Sequence, residues 1–390
     1  MSPVSRGRKP KKGSPGRAGS RATHPRPEWF GASVRKVLDA AVVLRDAQRP
    51  RELEQATAEL VGEELAFRLA HEKTGLAFAW WAEELVDAAV AQLKQTSRGD
   101  GWETPLRLLH GLSSISTAGL QSSVRAGLGH ARKWLKKAQR PEWLDELARI
   151  EATGEIWGMR DAYGVRFAVI AGFAYPDETD PSVFLFDIDA SGFIEIVSAG
   201  VFDNQDQAAD AWRAHVGDTA AKAGLEVVED DAHLLVLAHC RDDRNYVMGN
   251  ESRNLLDNWF RAQRRICDLS EVVPLPHAES LFDVPDPSPL ADPFVEWYTA
   301  RHGSAPGLDA VTAMAGEWME GTLPATWFSI SPARVRYQLA LISDWPEDSV
   351  TEEVKVLLPQ WVRWLGERAE LPEVLIERVV TVAAKGYVPE

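Results

Sequence analysis

Residues 166–175 read RFAVIAGFAY, residues 182–187 read SVFLFD and residues 193–198 read FIEIVS. Each stretch is short, aromatic and β-branched, and turn-forming residues separate them. Three such runs in succession predict neighbouring strands and a mostly antiparallel sheet. Residues 204–223 follow with helical spacing, placing Ala208, Ala211, Trp212 and Val216 on one face. Residues 233–239 (HLLVLAH) form a last apolar run, read as a buried strand. The order β-β-β-α-β predicts one helix packed on the sheet.

Outside this block the period changes to that of helices. On the N-terminal side, Val34, Val37, Leu38, Ala41 and Val42 recur at i, i+3, i+4, i+7 and i+8. Leu53, Ala56, Leu60 and Phe67 repeat the spacing with Glu64 as an acidic interruption, and Leu76, Trp80, Leu85, Ala88 and Ala89 mark a third stretch. Residues 105–138 predict two more helices, and residues 251–267 another. Pro274, Pro276, Pro285, Pro287, Pro289 and Pro293 then crowd one segment, which reads as an extended linker. Beyond it, Val354, Leu357, Leu358, Trp361, Trp364 and Leu365 form a wide apolar stripe, and Pro372 opens a last helix. The fold class is therefore α+β, with helical N- and C-terminal regions flanking a small, mostly antiparallel β-sheet domain. The expected units are a basic disordered tail (1–27), a helical domain (28–150), an α+β sheet domain (151–272), a proline-rich linker (273–293) and a second helical domain (294–390). The 15 tryptophans are spread over every region after residue 28, which favours core anchoring over one aromatic platform.

The net charge of −15 conceals a division. Residues 1–27 carry eight Lys and Arg and no Asp or Glu; subtracting that +8 leaves −23 for residues 28–390. The body should repel polyanions, and the tail alone should attract them. Two cysteines, Cys240 and Cys267, make neither a disulfide framework nor a metal-binding pair, which suits a reducing cytoplasm. No run approaches the ~18 apolar residues of a membrane span, so no membrane partner is expected. The excess of arginine over lysine and the abundant alanine suggest GC-rich coding and a bacterial source.

One motif invites chemistry: Asp187-Ile188-Asp189-Ala190-Ser191-Gly192, delivered by the apolar run before it. It resembles the first motif of the haloacid dehalogenase phosphatases. That resemblance implies Asp187 as nucleophile, Asp189 as general acid/base and Mg²⁺ beside them, with Lys222, Asp242 and Asp243 standing for the later lysine and metal-binding aspartates. Only about 55 residues separate Asp187 from Asp242, room for fewer than two βαβ units of about 30 residues each, where that family needs several. The motif also resembles the first motif of DnaQ-like exonucleases, though the downstream His-x(4)-Asp is absent, and the start of an EF-hand loop, though Ser198 stands where a bidentate Glu is needed. The plainer reading is a β-hairpin turning at Asp189-Ala190-Ser191-Gly192, since Asp, Ser and Gly form turns. His239, Cys240, Asp242 and Asp243 form a second polar group just past the predicted strand, best read as a strand end with a solvated acidic loop.

In the tail, Arg6-Gly7-Arg8-Lys9-Pro10-Lys11-Lys12 resembles an AT-hook in part, with Lys9 intervening before the proline. Whatever its name, a flexible cationic segment pairs with phosphates and releases counterions, from DNA or RNA alike. The expected function is thus a non-catalytic cytoplasmic binding or adaptor protein whose tail contacts nucleic acid through Arg6, Arg8, Lys9, Lys11 and Lys12, with a protein partner of unknown identity. No catalytic residue, metal site or cofactor is assigned. The alternatives are a metal-dependent phosphohydrolase built on Asp187, Asp189, Asp242 and Asp243 with Mg²⁺, and a scaffold for protein–protein interaction alone.

Overall fold

Strand period two governs the centre of the molecule. In a computed structural model describing residues 27–71, 76–135, 140–176, 181–228, 231–240, 246–247, 252–276 and 285–386, five strands form one antiparallel sheet. They are β2 (Glu151–Arg160), β3 (Arg166–Ala174), β4 (Ser182–Asp189), β5 (Glu195–Phe202) and β6 (Glu226–Val227), in the order β5-β4-β3-β2-β6. Before them come α1 (Trp29–Ala40), α2 (Pro50–His71), β1 (Leu76–Ala77), α3 (Phe78–Thr96), α4 (Glu103–Ile115) and α5 (Ala118–Trp134). Within and after the sheet lie α6 (Gln205–Val216), α7 (Asp231–His239), β7 (Tyr246–Val247) and α8 (Arg253–Ser270). β7 pairs with β1 as a separate two-stranded ribbon. The chain ends in α9 (Ser288–His302), α10 (Leu308–Met319), α11 (Pro332–Ser343), α12 (Ser349–Arg368) and α13 (Glu373–Lys385). The α+β class, with helices flanking an antiparallel sheet, is as the sequence predicts.

Strands apolar at every position are buried on both faces. Phe167, Val169, Ala171, Phe173, Phe184, Phe186 and Ile188 pack towards α7 and α8. The alternate residues Ala168, Ile170, Val183 and Leu185 pack against Ala208, Ala209 and Trp212 of α6. The expected single covering helix is therefore α6, and the opposite face is covered too. α8 also seals the β5 edge. Ser252 Oγ donates to Val197 O at 3.2 Å, Asn254 Oδ1 accepts from Ala199 N at 3.0 Å, and Asn258 Nδ2 donates to Ala199 O at 2.8 Å. Side chains thus take the ladder bonds that another strand would otherwise make.

Three segments depart from expectation. Residues 233–239 are helical, not a strand: the run belongs to α7, because Leu, Ala and His carry little β-branching and an apolar run of this length has no diagnostic period. β2 was not anticipated, since Gly154 and Gly158 dilute its strand character. α9 begins inside the proline-rich stretch 273–293 and ahead of residue 294. Pro289 falls in its first turn, where the missing N–H costs nothing, although Pro293 sits within the helix. The tail, residues 1–26, lies outside the described residues.

α8 also joins the sheet to the N-terminal helices, through a buried cluster of charges. Arg265 donates to Glu54 of α2 at 2.5 Å, to Asp268 at 3.0 Å and to the Ser114 carbonyl of α4 at 3.2 Å. Arg261 lies 3.5 Å from Glu54, and the Tyr175 hydroxyl beyond β3 donates to the same carboxylate. Burial raises the Glu54 pKa, but Arg265, Arg261 and Tyr175 outweigh it and hold the carboxyl below its ordinary value. Gly62 lets α8 approach α2: a Cβ there would stand 2.4 Å from the Asp257 Cα. The acidic interruption at Glu64 is likewise satisfied, by Ser33 Oγ at 2.5 Å, Arg68 at 2.7 Å and Lys36 at 2.9 Å. Both glutamates sit on buried helix faces because their charges are matched in place.

Glu54→Ala leaves Arg265 and Arg261 short of a counter-charge and should lower unfolding stability by about 3–5 kcal/mol in urea melts, whereas Tyr175→Phe should cost about 1–2 kcal/mol. His110, buried on α4, has its imidazole pKa pushed down from 6.5 to about 4 by desolvation, against the pull of Asp145 and with the help of Arg140 and Arg132. As pH falls below 6.5 the unfolded chain gains a proton that the folded chain refuses. Stability should therefore fall by about 3 kcal/mol between pH 6.5 and pH 4 from this group. His110→Gln should remove that share of the acid loss, read as the difference between variant and parent melts at pH 7 and pH 4.

Candidate functional site

Register brings the motif together. Arg166 lies directly across from Asp189, and Asp187 across from Ala168, so Arg166, Asp187 and Asp189 share one face at the end of the β3–β4 pair. That face is the one covered by α6, which supplies Trp212 and His215, three residues apart on its last turns. Asp187 is 1% exposed. Its Oδ1 accepts from Arg166 Nε at 2.6 Å and from Trp212 Nε1 at 2.9 Å, and its Oδ2 accepts from Arg166 Nη2 at 2.8 Å. The third guanidinium nitrogen reaches Asp189 Oδ2 at 3.3 Å, while Asp189 Oδ1 accepts the Ser191 N–H at 2.7 Å in an Asx turn. His215 Nε2 stands 3.8 Å from Asp187 Oδ2. Burial works against the Arg166 charge, but Asp187, with Asp189 and Asp161 behind it, overcomes that and raises its pKa above the ordinary value.

This geometry assigns the two carboxylates to one arginine. A nucleophilic aspartate needs an oxygen free to meet its target, and here both Asp187 oxygens are occupied by strong donors. The donor set also suits Mg²⁺ poorly, because a guanidinium already bridges the oxygens that would ligate it. Among the described residues, no three His, Cys, Asp or Glu side chains come together so as to hold a metal ion. The strands pair antiparallel, unlike the parallel sheet that the phosphatase resemblance implies, and the motif is flanked by β4 and β5, unlike the helices of an EF-hand. Asp242 and Asp243 lie outside the described residues, as do Arg6, Arg8, Lys9, Lys11 and Lys12. His239 and Cys240 fall at the end of α7, not after a strand.

The hairpin turn itself has a task. Past Asp189 the chain reverses at residues 190–194 and rests its tip against α11, with the Phe193 side chain largely exposed. Ser191 Oγ lies 3.3 Å from Ser331 Oγ, at the N-cap of α11, and the Phe193 ring meets Tyr337 edge-on at 5.6 Å. A Cβ on Gly192 would stand 2.9 Å from the Tyr337 ring, so glycine is required by contact there. The neighbouring β2–β3 turn docks beside it. Arg160 bridges Gly164 O at 2.5 Å and Ala325 O at 2.7 Å, and Tyr163 and Val165 join the C-terminal core. Motif and turn together form a joint: the carboxylate–arginine clamp stiffens the hairpin whose tip rests on α11.

A separate cleft of about 500 Å³ opens at the other end of α6, lined by Arg51, Glu155, Trp157, Ser182, Asp203 and Gln205. Sequence reading missed it because those residues come from four elements and share no local spacing. It also missed Arg166 and Trp212 as partners of Asp187. The available signal was that a strand so apolar begins with an arginine, and that a tryptophan on a buried helix face needs an acceptor. No protein-family model, curated protein or solved structure matches this chain.

Asp187→Asn should therefore behave as a core lesion. It leaves the Arg166 charge largely unpaired and should cost about 3–5 kcal/mol of stability, with part of the loss recovered by adding Arg166→Met in a double-mutant cycle. An equally stable Asp187→Asn protein would overturn the clamp. Gly192→Ala should cost about 1–3 kcal/mol as the hairpin tip is pushed off Tyr337, measured by the same melts.

Proposed function

We propose that this protein is a non-catalytic binding or adaptor protein whose basic N-terminal segment contacts nucleic acid, with the folded body presenting other surfaces to a protein partner. One observation carries the reading: eight cationic and no acidic residues in positions 1–27, set against a body of net −23. Such a division favours phosphate at one end and discourages it everywhere else. The engagement of Asp187 and Asp189 with Arg166 supports a structural role for the motif that most resembles a catalytic one. A cytoplasmic setting fits a chain whose two cysteines, Cys240 and Cys267, are too few for a disulfide framework. None of the described helices is long and apolar enough to cross a membrane.

The test is salt-dependent binding of the full chain to duplex DNA and to RNA. If all eight cations engage duplex phosphates, log Kd against log salt should have a slope of magnitude about 7, and replacing the eight with glutamine should abolish binding. Equal binding by parent and variant would place the contact on the body, and no binding by either would end the nucleic-acid reading in favour of a scaffold for proteins alone.

A further inference from the structure

Arg334 is the third residue of α11, and its exposure is 0%. A guanidinium brings five N–H donors and a full positive charge. Nη1 donates to Thr326 O at 2.5 Å, and Nη2 donates to Trp318 O at 2.7 Å and to Thr322 Oγ1 at 3.4 Å. The Trp318 ring lies against the guanidinium, 4.6 Å from centroid to Cζ. Every one of these partners is neutral. Nε is buried and has no acceptor among the described residues. Desolvation pushes its pKa down to about 9, and no carboxylate among the described residues opposes it.

The contrast within the molecule is direct. Arg261 and Arg265 are as deeply buried, and Glu54 and Asp268 answer them. The carbonyls facing Arg334 come from the last turn of α10 and from the short helical turn at residues 324–326, so the negative end of a helix dipole offsets part of its charge. A dipole end carries about half a charge at most, and the remainder is unmatched. Two further donors in the same core lack acceptors: the indole N–H groups of Trp327 and Trp361. Trp327 O accepts the Trp318 N–H at 3.0 Å, and the Trp361 ring meets Trp318 edge-on at 6.3 Å, so both residues touch the tryptophan on which Arg334 rests.

Among the described residues, the unmatched side-chain atoms of this core are therefore all donors, and one of them belongs to a cation whose partners are neutral. A water molecule could accept from Arg334 Nε, but it brings two protons that need acceptors of their own and no charge. A halide accepts only and supplies the missing charge. We propose that the C-terminal helical core holds a buried site for a small monovalent anion of chloride size, with Arg334 as its positive partner. The site is independent of the nucleic-acid reading above, since it involves neither the tail nor the sheet.

The test uses the full chain in sodium gluconate, exchanged stepwise for sodium chloride at constant ionic strength. The melting temperature should climb and saturate, by about 2–4 °C once chloride is well above its dissociation constant. Bromide should substitute, and crystals grown in bromide should show an anomalous peak within hydrogen-bond reach of Arg334 Nε. Arg334→Met, which removes the charge and keeps the length, should abolish the dependence on halide. Where that variant does not fold, the bromide crystal of the parent protein decides. Identical melting in gluconate and chloride, or a position beside Nε that holds water and no bromide, would overturn the proposal.

Discussion

The carboxylate of Glu54 is the constraint on which the molecule turns. Desolvating it would be prohibitive if it stood alone, so Arg261, Arg265 and Tyr175 have to be in place around it. Those partners come from α8 and from the end of β3. Burying one charge on α2 therefore fixes where the sheet and α8 lie against the N-terminal helices. Position and direction of α8 then determine whether Asn254 and Asn258 reach the backbone of β5. Electrostatics of this kind adds little net stability compared with an apolar core, but it discriminates strongly among packings, because any other arrangement strands a charge.

The same logic recurs at smaller scale on the other face of the sheet. Arg166 serves two carboxylates that the pleat places side by side, and Trp212 supplies a further donor from α6. Two aspartates in a strand–turn context attract catalytic interpretations, yet their distances describe a brace. Its use is visible a few residues on, where Ser191, Gly192 and Phe193 meet Ser331 and Tyr337. A hairpin that must rest its tip on another lobe benefits from a rigid stem.

Much of this was legible in the sequence, for physical reasons that also mark where legibility stops. Strands β3, β4 and β5 announced themselves through β-branched and aromatic runs, and the helices through their apolar stripes. α7 misled because HLLVLAH is apolar on every side, so periodicity carried no information. β2 was hidden by its glycines, and α9 by prolines that a helix accepts in its first turn. The hairpin reading of Asp187–Asp189 followed from turn chemistry, but the partners of those aspartates did not. Arg166 is 21 positions from Asp187 and Trp212 is 25 positions away, and only strand register and helix docking bring them near. Arg334 was invisible for the opposite reason: nothing in a sequence marks a buried arginine whose hydrogen-bond partners among the described residues are all neutral.

The Glu54–Arg265 contact spans 211 positions of chain. On a ribosome adding about 5–20 residues per second, the glutamate emerges roughly 10–40 s before the arginine that completes its environment. During that interval Glu54 and Gln55 of α2 lack the arginines of α8 that later donate to them, and water takes their place. The N-terminal helices have an apolar core of their own to form meanwhile, so what the delay leaves open is the seam between α2 and α8.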